Sequence, residues 1–254
     1  MLYLFLVLFA FAFTCEYAAA TLGMGYGTTL APILIILGYE PLILVPAILF
    51  SQFFAGFIAA GFHHKFENMD LSNPIERTSL VIFGTTGIIG VLVSVLIGIG
   101  LSPVYVKIYI ALTVMAVGLL TFLNGHRESD FSGKKLASIG IVAAFNKGIS
   151  GGGYSPILAA GQMVCGIKPR AAIAITALVE GIICAVGVGL YWLLAVPIDV
   201  LLIVGITAGA VTAAPLSALT TKSLEQERLK ELVAIAIVLV GLASFLVVMT
   251  NVLT

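Results

Sequence analysis

The sequence has very little charge. Of its 254 residues only 9% are charged and 61% are hydrophobic, whereas a soluble domain carries about 25% charged residues. This shortage excludes the surface of a water-soluble globular protein. Lys and Arg total 12, and Asp and Glu also total 12, so no basic excess indicates a nucleic-acid partner.

Sequence signatures of enzymes and of bound metals are also missing. The chain has no P-loop, no HExxH motif and no Ser/His/Asp set, so we expect no enzyme activity, no metal and no cofactor. Its three cysteines, Cys15, Cys165 and Cys184, have no metal-ligand spacing. An odd number of cysteines in or beside apolar stretches also argues against a disulfide framework.

Long apolar runs are what the sequence does contain. A helix needs about 20 apolar residues to cross the hydrocarbon core. The apolar N-terminus lacks a basic segment and a convincing cleavage site, so we expect a retained membrane segment and not a signal peptide. Beyond it, the predicted membrane spans are 42–62, 76–101, 103–123, 170–194, 197–219 and 230–250.

Two further apolar regions, 1–38 and 136–166, are interrupted by glycine clusters. Glycine at this density breaks a helix because it costs backbone entropy and tolerates non-helical dihedral angles. The interruptions are Leu22–Gly27 in the first region and Lys147–Tyr154 in the second.

Positive charges indicate how these regions are threaded, because cytoplasmic loops concentrate Lys and Arg. Basic loops lie near Lys65, Lys134, Lys168 and Lys222. They share one side of the membrane only if 136–166 enters and returns as a hairpin. The same rule makes 1–38 a hairpin and places the N-terminus outside.

The resulting fold class is an all-α polytopic membrane protein with two inverted repeats. Each repeat is a broken helical hairpin followed by three transmembrane helices, and this odd number of crossings inverts the second repeat. The N-terminal repeat is predicted at 1–124 and the C-terminal repeat at 136–254, joined by a cytoplasmic linker at 125–135.

The two halves also resemble each other in sequence. Gly23–Leu34 corresponds to Gly148–Leu158 if one residue is deleted. Two matched pairs follow. Glu40-Pro41 matches Lys168-Pro169, and Gln52 matches Glu180 because each lies equally far along the chain from its own proline.

The glycine-rich tips of the hairpins are the predicted site. Non-helical backbone at membrane depth requires protein or a water-filled cavity around it, and free N–H groups before a helix N-terminus attract anions. Two such tips would enclose a site near the midplane, as in many secondary transporters; alternatively, the glycines only allow close helix packing. The predicted substrate-binding residues are Gly25, Gly27, Thr28, Thr29, Gln52, Asn146, Lys147, Ser150, Gly151, Gly152, Gly153, Tyr154 and Ser155.

Three charged residues lie within these apolar regions, where charge is costly and usually functional. Lys147 either pairs with an anionic substrate or extends to the membrane interface. Glu180 either carries a coupling proton or neutralises Lys147. Glu16 is a proton carrier, a cation ligand or a polar contact at the cavity edge.

The two tips resemble those of the TauE/SafE sulfite exporter family, also called the 4-toluene sulfonate uptake permeases. Gly23–Leu34 is similar to the family's glycine-rich motif, with Tyr26 in place of a glycine. Gly151–Pro156, followed by Lys168-Pro-Arg170, is similar to a common variant of the second motif, and the acidic position after it matches Glu180.

The resemblance implies a multi-pass protein of a bacterial or archaeal cytoplasmic membrane. It also implies transport of small organic or sulfur-containing anions such as sulfite, sulfonates or sulfoacetate. We expect secondary active transport by alternating access; an anion channel and a non-transporting scaffold are the alternatives. The expected partners are the lipid bilayer, a small anionic solute and a coupling ion, either H⁺ or Na⁺. The sequence does not predict the oligomeric state, and a homodimer is one of the alternatives.

Overall fold

The computed structural model describes residues 2–102 and 132–225, together with positions 105, 106, 109, 112, 228, 231, 232, 235 and 239. These residues contain helices and no strand, which confirms the predicted all-α class. Most of the predicted spans 103–123 and 230–250, and most of the linker, lie outside the described residues. The helices are α1 (Leu2–Leu22), α2 (Tyr26–Ile36), α3 (Pro41–Lys65), α4 (Pro74–Gly100), α5 (Gly133–Ser150), α6 (Tyr154–Val164), α7 (Pro169–Leu193) and α8 (Val200–Ser223).

Five of these helices, α1, α3, α4, α7 and α8, are long and apolar enough to cross a membrane. Three of them begin at a proline, namely Pro41, Pro74 or Pro169. The first N–H groups of a helix have no acceptor within the helix, so a proline there costs no hydrogen bond. Asp199 is the N-cap residue of α8, and its side chain accepts a hydrogen bond from the Leu202 N–H. Local sequence signals thus fix where α3, α4, α7 and α8 begin.

Glycines with positive φ interrupt both predicted hairpin regions. Gly23 (φ 67°) and Gly25 (φ 83°) separate α1 from α2, while Gly151 (φ 70°) and Gly153 (φ 73°) separate α5 from α6. Residues with a Cβ rarely adopt this conformation, so glycine is needed at these four positions. We call residues 23–28 the first tip and residues 150–155 the second tip.

At each tip the chain folds back on itself. In the second region Gly161 of α6 lies against Ile139 of α5, with 2.8 Å between an added Cβ and the Ile139 Cδ1 atom. In the first region α2 likewise packs against α1. Both regions are therefore helix–tip–helix hairpins.

A constant offset in residue number relates the two halves of the described chain. The returning helices begin at Tyr26 and Tyr154, and the next helices begin at Pro41 and Pro169, with the same interval in each pair. We call this interval the repeat offset. It also relates the positive-φ glycines at the two tips, and it relates Gln52 to Glu180.

The repeat offset corrects the alignment of the tips that the sequence suggested. That alignment paired Gly23 with Gly148 and Pro32 with Pro156, but in the structure Gly23 takes the place of Gly151. The requirement for positive φ fixes the glycine positions. The two prolines lie at different depths of their helices, so their similarity was misleading.

Contacts between helices define their relative directions. Helix α3 is antiparallel to α7, because Leu49 contacts Gly187 while Gly56, further along α3, contacts Ala177. Helices α1, α3 and α8 run one way, and α4, α5 and α7 run the other way. The parallel contacts are Leu8–Gly205 and Thr21–Thr221 for α1 with α8, Ser51–Ile206 and Asn68–Ala218 for α3 and the loop after it with α8, Gly90–Ala144 and Gly98–Ile149 for α4 with α5, and Gly87–Ile183 and Val91–Gly187 for α4 with α7.

The two ends of this bundle differ in charge. One end, which we call the basic end, carries Lys65, Arg77, Lys134, Lys135, Lys168, Arg170 and Lys222. At the other end the described residues include no Lys or Arg, but they include Glu40 and Asp199. There, partial burial and the nearby Asp199 carboxylate raise the pKa of Tyr39. Such asymmetry is typical of a membrane protein whose basic end is cytoplasmic.

Candidate functional site

The two tips meet inside the bundle with their backbones in direct contact. A Cβ atom added to Gly27 would lie 1.8 Å from the Gly151 carbonyl oxygen, and one added to Gly152 would lie 2.7 Å from the Thr28 nitrogen. The Gly153 N–H donates a hydrogen bond of 2.8 Å to Thr28 Oγ1. Glycine allows this approach because no side chain separates the two backbones.

The helices that follow the tips begin without a side-chain cap. The N-cap residues of α2 and α6 are Gly25 and Gly153, and neither cap position provides a side-chain hydrogen bond. Each helix N-terminus carries a positive partial charge. The tips therefore bring two such N-termini together at one place in the bundle.

Some of the tip amides already have partners within the protein. The Gly152 N–H donates to Ser150 Oγ at 3.1 Å, and the Thr28 N–H donates to the Gly25 carbonyl at 3.0 Å. In this structure some of the backbone N–H groups of the tips therefore form hydrogen bonds with the other tip or with nearby residues of the same tip.

A small polar cavity lies beside the tips, on the side of the basic end. We call it the tip cavity; its volume of about 20 Å³ holds roughly one water molecule. Its lining residues are Glu16, Ala19, Ala20, Gly23, Gly25, Tyr26, Gln52, Gly56, Ala59, Ser155, Ile173, Thr176, Ala177 and Glu180.

A second cavity, of about 110 Å³, lies toward the opposite end, and Val45, Ile149 and Tyr191 are among its lining residues. It is larger, but no charged side chain lines it. Recognition of an ion requires charged or polar groups, and of these two cavities the tip cavity is the one lined by charged side chains.

A buried ion pair forms one wall of the tip cavity. Lys147 Nζ lies 2.5 Å from Glu180 Oε1, and the Ser155 hydroxyl donates to Glu180 Oε2 at 2.6 Å. The Lys147 side chain is only 1% exposed. Lys147 is therefore enclosed in the bundle and paired with Glu180.

A second carboxylate faces the tip cavity from α1. Glu16 accepts a hydrogen bond of 2.7 Å from the Gln52 side-chain amide. Gln52 of α3 is the counterpart of Glu180 of α7. In each half of the chain, a polar residue of the long helix after the hairpin contacts a charged residue on the first helix of that hairpin.

The two ends of the site are not equivalent. Thr176 and Ala177 line the tip cavity, whereas their counterparts at the repeat offset are Ile48 and Leu49. Ile48 lies 3.5 Å from an added Gly151 Cβ, and Leu49 lies 2.9 Å from an added Gly187 Cβ. On the side of the tips away from the basic end, these larger apolar side chains therefore fill the space that corresponds to the tip cavity.

The structure separates the predicted site residues into three groups. Those at the tip cavity are Gly25, Gln52, Ser155, Glu16 and Glu180, with Lys147 behind Glu180. Those at the contact between tips are Gly27, Thr28, Gly151, Gly152 and Gly153. The others make different contacts: Thr29 and Ser150 donate to backbone carbonyls, Asn146 accepts from Tyr109, and Tyr154 is fully buried.

Sequence reasoning missed two residues that shape the tip cavity. Gly56 lets α3 approach α7, where an added Cβ would lie 2.9 Å from the Ala177 carbonyl oxygen. Gln162 donates to Thr176 Oγ1 at 2.9 Å and so positions that hydroxyl. The available signal for Gly56 was its place one helical turn after Gln52, on the same helix face.

Comparison with known proteins gives one result. The family model described as Sulfite exporter TauE/SafE matches residues 8–244, nearly the whole chain. No curated protein and no solved structure matches. Because the family match extends over both tips and nearly the whole chain, the chain belongs to the sulfite exporter TauE/SafE family of membrane transporters for sulfite and related anions.

Proposed function

We propose that this chain is a secondary active transporter for small organic or sulfur-containing anions, such as sulfite, sulfonates or sulfoacetate. It works by alternating access around the two tips, in the cytoplasmic membrane of a bacterium or archaeon. The observation that carries the proposal is the meeting of two uncapped helix N-termini between oppositely directed hairpins.

The helix directions support an inverted repeat. Under the repeat offset, α1, α2, α3 and α4 correspond to α5, α6, α7 and α8. Helix α3 is antiparallel to its counterpart α7, and α1 runs opposite to α5. Inverted repeats with broken helices at their interface are the usual architecture of a midplane binding site in secondary transporters.

The chemistry of the tips favours an anionic substrate. Backbone N–H groups at two helix N-termini supply positive partial charge, and Lys147, which lies behind the cavity wall, offsets the charge of Glu180. A cation site would need several oxygen ligands; among the described residues no group of three His, Cys, Asp or Glu side chains is placed to hold a metal.

The closed tips favour a carrier over a channel. The tip cavity has room for roughly one water molecule, which is smaller than a sulfonate group. Substrate entry therefore requires the tips to separate on one side, which is the movement that alternating access needs. The hydrogen bond between Gly153 and Thr28 breaks in that movement.

The test is anion counterflow in proteoliposomes that contain the purified protein. We expect saturable exchange of sulfite or methanesulfonate, and its loss in Gly152→Leu, because the new side chain would collide with the Thr28 backbone. Gly84→Leu is the matched control, since an added Cβ there meets nothing within 4 Å. Ohmic currents without saturation would instead favour a channel, and absence of any anion flux would reject the proposal.

A further inference from the structure

The charged groups at the tip cavity do not balance. Lys147 is the one cation buried there among the described residues, and it faces two carboxylates, Glu16 and Glu180. Lys147 forms its ion pair with Glu180. With all three groups ionised the set has a net charge of −1, which would repel the anion that the tips are built to receive.

Glu16 is the carboxylate that forms no ion pair with a described residue. Its described hydrogen bond is with the uncharged amide of Gln52, through Oε2, and the side chain lies in the cavity wall with 3% of the residue exposed. Glu180, in contrast, is held by Lys147 and Ser155 at the same time. A proton can therefore bind Glu16 without breaking an ion pair, whereas protonation of Glu180 would break its ion pair with Lys147.

The surroundings of Glu16 include titratable groups from several elements. They are Cys15 on α1, Tyr26 on α2, Lys147 on α5, and Glu180 and Cys184 on α7. Helix α8 also packs against α1, but its charged residues Asp199 and Lys222 lie at its two ends. Gln52 of α3 presents an N–H donor to Glu16, which disfavours a metal cation at the same carboxylate because a metal needs oxygen ligands.

We propose that Glu16 is the proton-binding site that couples anion transport to proton movement. The inference rests on the proposed transport function and assigns the two hairpins different tasks. The second hairpin contributes Lys147, which offsets the permanent charge of Glu180. The first contributes Glu16, which is protonated when the anion occupies the tips and releases the proton when the anion leaves, so that one proton crosses with each anion.

The experiment uses methanesulfonate, which remains a monoanion at every working pH, so any proton must travel on the protein. Proteoliposomes are loaded with a pH-sensitive dye and given a methanesulfonate gradient. Wild-type protein is expected to move protons together with the sulfonate. Glu16→Gln is expected to lose this proton movement, and its sulfonate exchange is expected to lose its pH dependence.

Glu16→Asp keeps a carboxylate and is expected to restore proton movement. Glu67→Gln, an exposed carboxylate in the loop after α3, is the matched control and should behave as wild type. Proton movement that persists in Glu16→Gln, or that requires Na⁺ in the wild type, would overturn the assignment. Sulfonate exchange without proton movement in the wild type also overturns it, but leaves the transport proposal standing.

A second measurement uses only the wild-type protein, so it does not depend on whether a variant folds. Purified wild-type protein in weakly buffered detergent solution should take up protons when methanesulfonate is added. Absence of uptake, in protein whose sulfonate binding is shown by calorimetry, rejects the role of Glu16. Absence of sulfonate binding rejects the proposed function itself, so the two failures can be told apart.

Discussion

At the scale of single residues, the buried pair of Lys147 and Glu180 has the clearest energetic consequence. Burying two charges costs desolvation, and the pair is tolerated because each partner offsets the other. Removing one partner leaves the charge of the other uncompensated in the bundle, whereas removing both partners removes both charges of the pair. The pair therefore predicts a strong non-additive effect on stability.

We expect Lys147→Met alone to lower the free energy of unfolding by about 3–5 kcal/mol, the usual cost of breaking a buried pair. The double variant Lys147→Met, Glu180→Gln should recover most of that loss. Thermal or denaturant unfolding in detergent measures both. The exposed pair of Glu225 and Arg228 is the control, since removing it should cost less than about 1 kcal/mol. Additive losses in the double variant would show that the buried pair is not the stabilising unit.

Part of the site could be predicted from sequence at this scale. Lys147, Glu180 and Gln52 stand out because polar side chains within long apolar runs are rare. The partner of Glu16 could not be predicted, because its contact with Gln52 joins two separate helices and depends on how the first hairpin folds back. The role of Gln162 also depends on a contact, with Thr176, that no local pattern indicates.

At the scale of elements, the glycine breaks were predictable but their pairing was not. Clusters of glycine indicate where a helix stops, and both breaks fall in the predicted regions. The alignment of one tip with the other failed because glycine and proline recur at several nearby positions. Only the backbone angles show which glycines are equivalent, and hence that a single repeat offset relates the tips and the helices that follow them.

The two hairpins also predict which side of the site is open. Thr176 and its counterpart Ile48 occupy matched positions on α7 and α3, but Thr176 lines the tip cavity while Ile48 packs against Gly151. In a variant with the native cysteines replaced by alanine, Thr176→Cys should react with a small thiol reagent from the basic end faster than Ile48→Cys does. Faster labelling of Ile48→Cys from that end would contradict the assignment of the open side.

Addition of the transported anion provides the control for that experiment. A substrate held between the tips should slow the labelling of Thr176→Cys, because it occupies the cavity that the reagent must enter. Ser72→Cys, in the exposed loop before α4, should be labelled at the same rate with or without the anion.

At the scale of the whole molecule, composition excluded a soluble protein, since so few charged residues cannot cover a soluble surface, and the long apolar runs predicted membrane helices. Relative helix direction was predicted only indirectly, through the distribution of Lys and Arg. The contacts supply what the sequence could not, because parallel and antiparallel helices can have the same composition. The gathering of the basic residues at one end of the bundle links the two lines of argument.

The proposed inversion of the repeats makes a prediction for the protein in its membrane. Glu40 and Lys168 are counterparts at the repeat offset, and both are exposed. Each precedes the first proline of a long helix, and those two helices, α3 and α7, are antiparallel. In intact cells, Glu40→Cys should react with a membrane-impermeant maleimide from outside, whereas Lys168→Cys should react only after permeabilisation. Each variant is made in the background without native cysteines, and labelling of both residues from the same side would mean that the two halves are not inverted.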